Sequence, residues 1–223
     1  MSEWWTYELS DFLMFSASTW RRTLELHNRD WFPLQALATL VAAVLLIALR
    51  TKARLAPRAA LLAMAAAWAF VAWSFLWQRY APINWAAQYF AIGFALQAVL
   101  LARQAVSGGT AFAMEGGKNR GVTGDLLIAG AILYPMLALA TGRPFAQTEW
   151  FGLVPDPTVL ATLGLMLCLR GHRGWLLLPL PLLWCAITGA TLWTLKSREW
   201  YVMPLAAALA LVALSIRPRA TPP

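Results

Sequence analysis

The chain has 223 residues, 60% hydrophobic and only 13% charged, with a formal net charge of +8. A soluble domain carries about 25% charged residues; here the few charges are segregated between long apolar runs, which excludes an ordinary soluble domain and points to a polytopic membrane protein. The positive excess lies mostly in short connectors, where Lys and Arg set orientation, and no basic stripe or nucleic-acid motif accompanies it, so nucleic acid is not an expected partner.

Residues 1–31 are too polar for hydrocarbon. The start, Met1-Ser2-Glu3-Trp4-Trp5, lacks the basic region of a cleavable signal. Ser10-Asp11 is the predicted cap of an amphipathic helix running to about His27, with Phe12, Leu13, Ser16, Trp20 and Leu24 near one face and Arg21, Arg22, Glu25 and Arg29 around it. That pattern predicts an interfacial helix along the membrane surface.

Seven apolar runs follow, predicted as spans over about 32–49, 59–77, 85–102, 125–141, 157–169, 175–195 and 200–216. Arg50, Lys52, Arg54 and Arg58 form the densest basic cluster, directly after the first run. Span three carries Gln88 and Gln97, expected to hydrogen-bond between helices. The connector 103–124 is rich in Gly, including Gly108-Gly109 and Gly116-Gly117, but its spacing fits neither phosphate-binding fingerprint. Tyr134-Pro135 lies inside span four, where the proline should kink the helix.

The fifth run is short. From Pro157 to Leu169 a helix reaches roughly 20 Å, against about 30 Å of hydrocarbon. If it crosses, Phe151–Pro155 must cross with it as non-helical backbone, which is tolerated only inside protein or a wet cavity. Asp156 lies between Pro155 and Pro157, ahead of Thr158, and reads first as a helix cap. An acid at membrane depth is equally a candidate functional group.

Placing the cluster at 50–58 in the cytoplasm puts eleven of the eighteen Lys/Arg inside and eight of the ten acids outside. The N-terminus is then outside and the C-terminus inside. Nine of thirteen tryptophans gather at the outer interface, as an aromatic belt does. A shallow outer site is expected there, drawing on Asp156, Trp150, Phe151, Tyr80, Asn84 and Gln97, with His27, Arg143, Glu149 and Glu199 as further polar groups. His27 and His172 fall on opposite sides, so they cannot share a haem. Cys168 and Cys185 are expected as buried thiols. No catalytic constellation, metal site or cofactor motif stands out, so no enzyme is expected.

Several stretches, in order, resemble an uncharacterised family of bacterial integral-membrane proteins, a domain of unknown function sometimes labelled permease. They are Leu9-Ser10-Asp11-Phe12, Glu25-Leu26-His27-Asn28, Trp31-Phe32-Pro33-Leu34-Gln35, Tyr80-Ala81-Pro82-Ile83-Asn84-Trp85-Ala86, Tyr134-Pro135, and Phe151-Gly152 through Pro155-Asp156-Pro157-Thr158 to Gly164. Members of that family often carry cysteine between the two prolines; here Asp156 stands there.

The sequence therefore predicts an all-α fold: a polytopic membrane bundle of about seven transmembrane helices (32–216), an N-terminal amphipathic interfacial segment (1–31) and a short cytoplasmic tail (217–223). The expected setting is the bacterial inner membrane. The expected role is a small-solute transporter or permease-like protein, and the alternative is a non-catalytic membrane subunit. The expected partners are the lipid bilayer and either a membrane-protein partner or further copies of the chain.

Overall fold

The computed structural model describes residues 13–51, 53, 55–107, 118–169 and 174–215. Among these, every regular element is helical: α1 Ala17–Asp30, α2 Leu34–Arg50, α3 Ala56–Phe70, α4 Ala87–Ser107, α5 Lys118–Ala140, α6 Pro155–Cys168, α7 Pro179–Thr194 and α8 Val202–Ser215. A π-helical segment, Val71–Tyr80, continues α3 without a break. Each of the seven predicted spans carries a helix. Three are long and apolar enough to cross a membrane: Ala56–Tyr80, Ala87–Ser107 and Arg120–Ala140. The bent pair α1–α2 makes a fourth if counted as one span, so the membrane-length helices number fewer than the seven expected. Part of the shortfall is the shortness of α6, 14 residues from Pro155, which its run already predicted. Part is the late start of α7 at Pro179, because proline suits the first helical turn and not the interior.

The N-terminal helix starts later than expected. Ser16 is its cap, accepting from the Thr19 N–H at 3.2 Å. The proposed Ser10-Asp11 cap lies outside the described residues, as do Lys52, Arg54, His172, the Gly108-Gly109 and Gly116-Gly117 pairs and the tail from 216. Helix α1 turns into α2 at 86°. Its buried face is Thr23, Leu24, His27 and Asn28.

Helix α6 is the axis of the bundle, and all fourteen of its residues are buried. No amphipathic stripe is possible for a helix surrounded on every side, which explains its uniformly apolar sequence. Helices α5 and α6 meet backbone to backbone. A Cβ added to Gly164 would lie 2.6 Å from the Gly124 carbonyl oxygen, and one on Gly124 would lie 2.7 Å from that of Gly164. Small residues allow this approach, which in lipid replaces the missing hydrophobic drive with close packing. Trp68 fills the next layer and donates its indole N–H to Thr162 Oγ1 at 2.8 Å.

Ion pairs mark the two ends of the bundle. Arg50, at the end of α2, pairs with Asp125 near the start of α5, and the Cys168 thiol lies 3.8 Å from the same aspartate. At the opposite end Arg79 pairs with Asp30, and Arg143 joins the α5–α6 connector to the α7–α8 turn. Trp77, Trp85, Trp193 and Trp200 project outward at this second end, as aromatic anchors do.

Candidate functional site at the α6 N-terminus

The entry to α6 is non-helical from Phe151 to Val154, and all four residues are buried. A buried backbone needs partners for its polar groups, and this one has them. Gly152, with φ of +77°, donates its N–H to Thr158 Oγ1 at 2.9 Å. Thr158 in turn donates to the Val154 carbonyl at 2.8 Å. The Leu153 carbonyl lies 3.1 Å from Nε2 of His27, so that nitrogen carries the proton. Asn28 donates to the carbonyls of Ala146 and Thr148 at 2.9 and 2.7 Å. Helix α1 thus clamps the connector from outside. Of the two environments expected for this backbone, protein surrounds it.

Asp156 is not the helix cap. The cap position belongs to Val154, which makes no side-chain cap bond, and Asp156 is the second helical residue. Its carboxyl accepts three hydrogen bonds from two other helices: Trp184 Nε1 at 2.7 Å, Thr188 Oγ1 at 2.9 Å and Tyr134 Oη at 3.3 Å. Three donors aimed at one carboxyl mark it as an acceptor only, and its place in the first turn of α6 suits the positive end of the helix dipole. Trp184 and Thr188 stand one turn apart on α7, which brings both donors to one face.

A second buried group adjoins it. Arg143 Nη1 lies 3.3 Å from Glu149 Oε1, and Nη2 lies 2.6 Å from Glu199 Oε1; all three side chains are nine-tenths or more buried. Ser197 donates to the other oxygen of Glu199 at 3.0 Å. One guanidinium therefore serves two glutamates, with Asp156 close enough for its charge to act on Glu149. Burial pushes the Glu149 carboxyl up to about 8; the Asp156 charge adds to the rise and Arg143 opposes it. His27 moves the other way, its imidazole lowered to about 4 by burial, with the Arg79 charge acting in the same sense.

The remaining predicted site residues are distributed around this centre. Phe151 is buried in the core. Trp150 is half-buried and packs edge-on against Phe145 at 5.4 Å. Tyr80 is buried among Trp20, Phe15 and Phe75. Asn84 accepts from the Ala86 N–H at 3.0 Å, shaping the turn into α4. Gln97 donates to the Leu177 carbonyl at 2.9 Å, which is the interhelical role expected of it, whereas Gln88 faces outward. Of the predicted groups, Asp156, Arg143, Glu149 and Glu199 belong to the carboxyl cluster. Tyr134, Trp184 and Thr188 complete it. Polar side chains on two apolar runs, at the depth of Asp156, were the available signal for these three.

The fold and site define an all-α protein with membrane-length helices and a buried acidic cluster at one end of its central helix. The chain belongs to DUF6064, a family of unknown function whose pattern matches residues 17–221. No curated protein and no solved structure matches it. The uncharacterised family expected from the sequence is thus met by one of unknown function, and neither a membrane setting nor the permease label follows from the match.

Proposed function

We propose that the protein is a multi-pass protein of the bacterial inner membrane, N-terminus outside, that couples movement of a small solute to a proton held in the outer-end acidic cluster. The supporting observation is the charge balance: Glu149, Glu199 and Asp156 surround a single cation, Arg143. Buried charges demand partners, so the cluster favours holding a proton. Glu149, raised to about 8, is the carboxyl that takes it near neutral pH. The three donors on Asp156 satisfy that second carboxyl beside it. In this reading the shorter helices α2, α6, α7 and α8 complete a seven-span bundle with the non-helical Phe151–Val154 entry, and no bonds other than those to the proton are made or broken. The test is reconstitution in liposomes with an inside pH indicator and a panel of amino acids, sugars and organic acids. A solute that drives proton uptake by wild-type protein and not by Glu149→Gln supports the reading. Proton uptake unchanged by Glu149→Gln sinks it.

A second reading is a docking subunit, favoured by a different observation. An apolar groove of about 810 Å³ runs between α3 with its π segment and α4, floored by alanines such as Ala65, Ala69, Ala95 and Ala98 and bounded by Trp73 and Trp77. Small residues admit a close-packed transmembrane helix. Ala95→Phe would release a partner or second copy from mildly solubilised membranes on this reading, and would leave proton uptake intact.

A further inference from the structure

Helices α3 and α4, both of membrane length with the π segment included, leave the apolar groove of about 810 Å³ between them. Eight of its thirteen lining residues are alanine and none is charged. Trp73 and Trp77, towards one end, are about half exposed. The other end is reached at Leu62 on α3 and Ala102 on α4. Arg58 stands four residues before Leu62, and Arg103 four residues after Val99. Each therefore continues the groove-lining face by one helical turn, and both are exposed. Asp125 is the only acid among the described residues at this end, and Arg50 takes it. Among the described residues neither Arg58 nor Arg103 has an ion-pair partner.

We propose that the groove is a site for one anionic phospholipid, its acyl chain lying along the alanine face and its phosphate held by Arg58 and Arg103. The groove takes a slender apolar body, and its charged end calls for an anion; a phospholipid joins the two. In a bilayer apolar lining selects nothing by itself, because lipid tails are as apolar as the groove. Discrimination has to come from the two guanidinium groups, whose planar donors match phosphate oxygens. In the orientation proposed above this end is cytoplasmic, the side on which basic pockets between spanning helices hold anionic headgroups. A second copy of the chain fits less well. A two-fold contact through this face would gather four arginines at one end, with no free acid among the described residues to offset them. The site rests on the membrane setting proposed above and not on the proton coupling, and it replaces a docked helix in this groove.

The test uses thermal melts of the full chain in neutral detergent micelles doped with phosphatidylglycerol, or with phosphatidylcholine of the same acyl chains. Phosphatidylglycerol should raise the melting temperature by about 5–11 °C once it is about a hundredfold above half-saturation. Phosphatidylcholine and free glycerol phosphate should not. The double variant Arg58→Gln/Arg103→Gln should melt as wild type without lipid and lose the shift. Ala95→Phe, which fills the groove from an exposed position, should lose it too. Because that variant can lose stability on its own account, chain position is also read in the wild-type groove. Phosphatidylglycerol with brominated chains should quench tryptophan emission less in Trp73→Phe/Trp77→Phe than in wild type. An equal shift with phosphatidylcholine, or one that survives the double arginine variant, overturns the site. A shift reproduced by glycerol phosphate assigns a soluble anion and overturns it as well. Quenching unchanged by the tryptophan substitutions places the chain elsewhere and has the same effect. A second copy or partner protein that stays bound whatever the headgroup assigns the groove to a helix and also overturns the lipid. A chain that stays in solution without detergent rejects the membrane setting and the lipid site together. One that needs detergent but does not distinguish the two lipids rejects the site alone, while the proton coupling is decided separately by uptake in Glu149→Gln.

Discussion

Replacing Asp156 separates hydrogen bonding from charge at the centre of the bundle. In Asp156→Ala the Trp184 indole N–H, the Thr188 hydroxyl and the Tyr134 hydroxyl all lose their acceptor. Thr188 can turn back to a carbonyl of its own helix, whereas the indole N–H sits on a rigid ring and loses its short bond to Asp156 Oδ1 outright. Removing one member of a buried charged network costs about 3–5 kcal/mol, and about 2–4 °C of Tm accompanies each kcal/mol for a chain of this size. The expected fall is then about 6–20 °C. Asp156→Asn keeps an oxygen for Trp184 and Thr188, and its amide can donate to the Tyr134 oxygen. Its cost is the difference between charged and neutral bonds, about 1–2 kcal/mol or about 2–8 °C. The assay is built into the chain: Cys168 and Cys185 are both free and buried, so a thiol-reactive dye added during heating of detergent-solubilised protein reports unfolding. Equal losses for Asn and Ala would refute the hydrogen-bond account in favour of the charge itself. An unchanged melting curve for Asp156→Ala would refute both.

The pH dependence should show two opposing slopes. His27 is about 4 folded and 6.5 unfolded, so between those values the unfolded chain takes up a proton the folded one refuses. Stability falls as pH drops through that window by about 3 kcal/mol in all, and His27→Gln, which keeps an N–H for Leu153, should flatten the slope in dye-monitored melts. Glu149 is 4.5 unfolded and about 8 folded, so the folded chain keeps a proton the unfolded one has lost. The stability it contributes is full below 4.5 and disappears as pH rises towards 8; Glu149→Gln should level that decline. Gly164→Ala places a Cβ 2.6 Å from the Gly124 carbonyl oxygen and 2.7 Å from Ile128 Cγ1, so α5 and α6 must separate at about 1–3 kcal/mol. Gly121→Ala, with nothing within 4 Å of the new carbon, should melt no lower than wild type. Arg143→Met leaves two buried glutamates without their cation and should cost about 3–5 kcal/mol; adding Glu149→Gln should recover part of it, as a double-mutant cycle would read.

Composition and apolar run length carry most of the fold, because each run of 13 or more apolar residues has only a helix to become in lipid. The abnormal entry to α6 was equally legible, since Pro155 and Pro157 at the start of a short run leave no other geometry. Two features lay beyond local pattern. The role of Asp156 was hidden because Asp-Pro-Thr satisfies the local rules for a cap, while its real donors stand on α5 and α7, 22 to 32 residues away. Arg143, Glu149 and Glu199 were legible as polar groups of the outer site, but their pairing was hidden, because each sits in a polar connector where charge is ordinary and only the packing of two connectors buries them. The π geometry of Val71–Tyr80 has no composition signal that separates it from an α-helix, as both present the same residue types.

The bonds of α1 to the α6 entry join residues 118 to 126 positions apart: Asn28 to Ala146 and Thr148, and His27 to Leu153. At ribosomal rates of about 5–20 residues per second, α1 is made roughly 6–25 s before the segment it holds. Throughout that interval its imidazole and carboxamide have no protein partner. At a membrane surface water supplies one at almost no cost, whereas within hydrocarbon each such group would forfeit several kcal/mol. The right angle between α1 and α2 therefore has a meaning in time as well as in space. In the proposed orientation, with α1 at the membrane surface, it keeps that helix where it can wait, hydrated, until the last third of the chain arrives to be gripped.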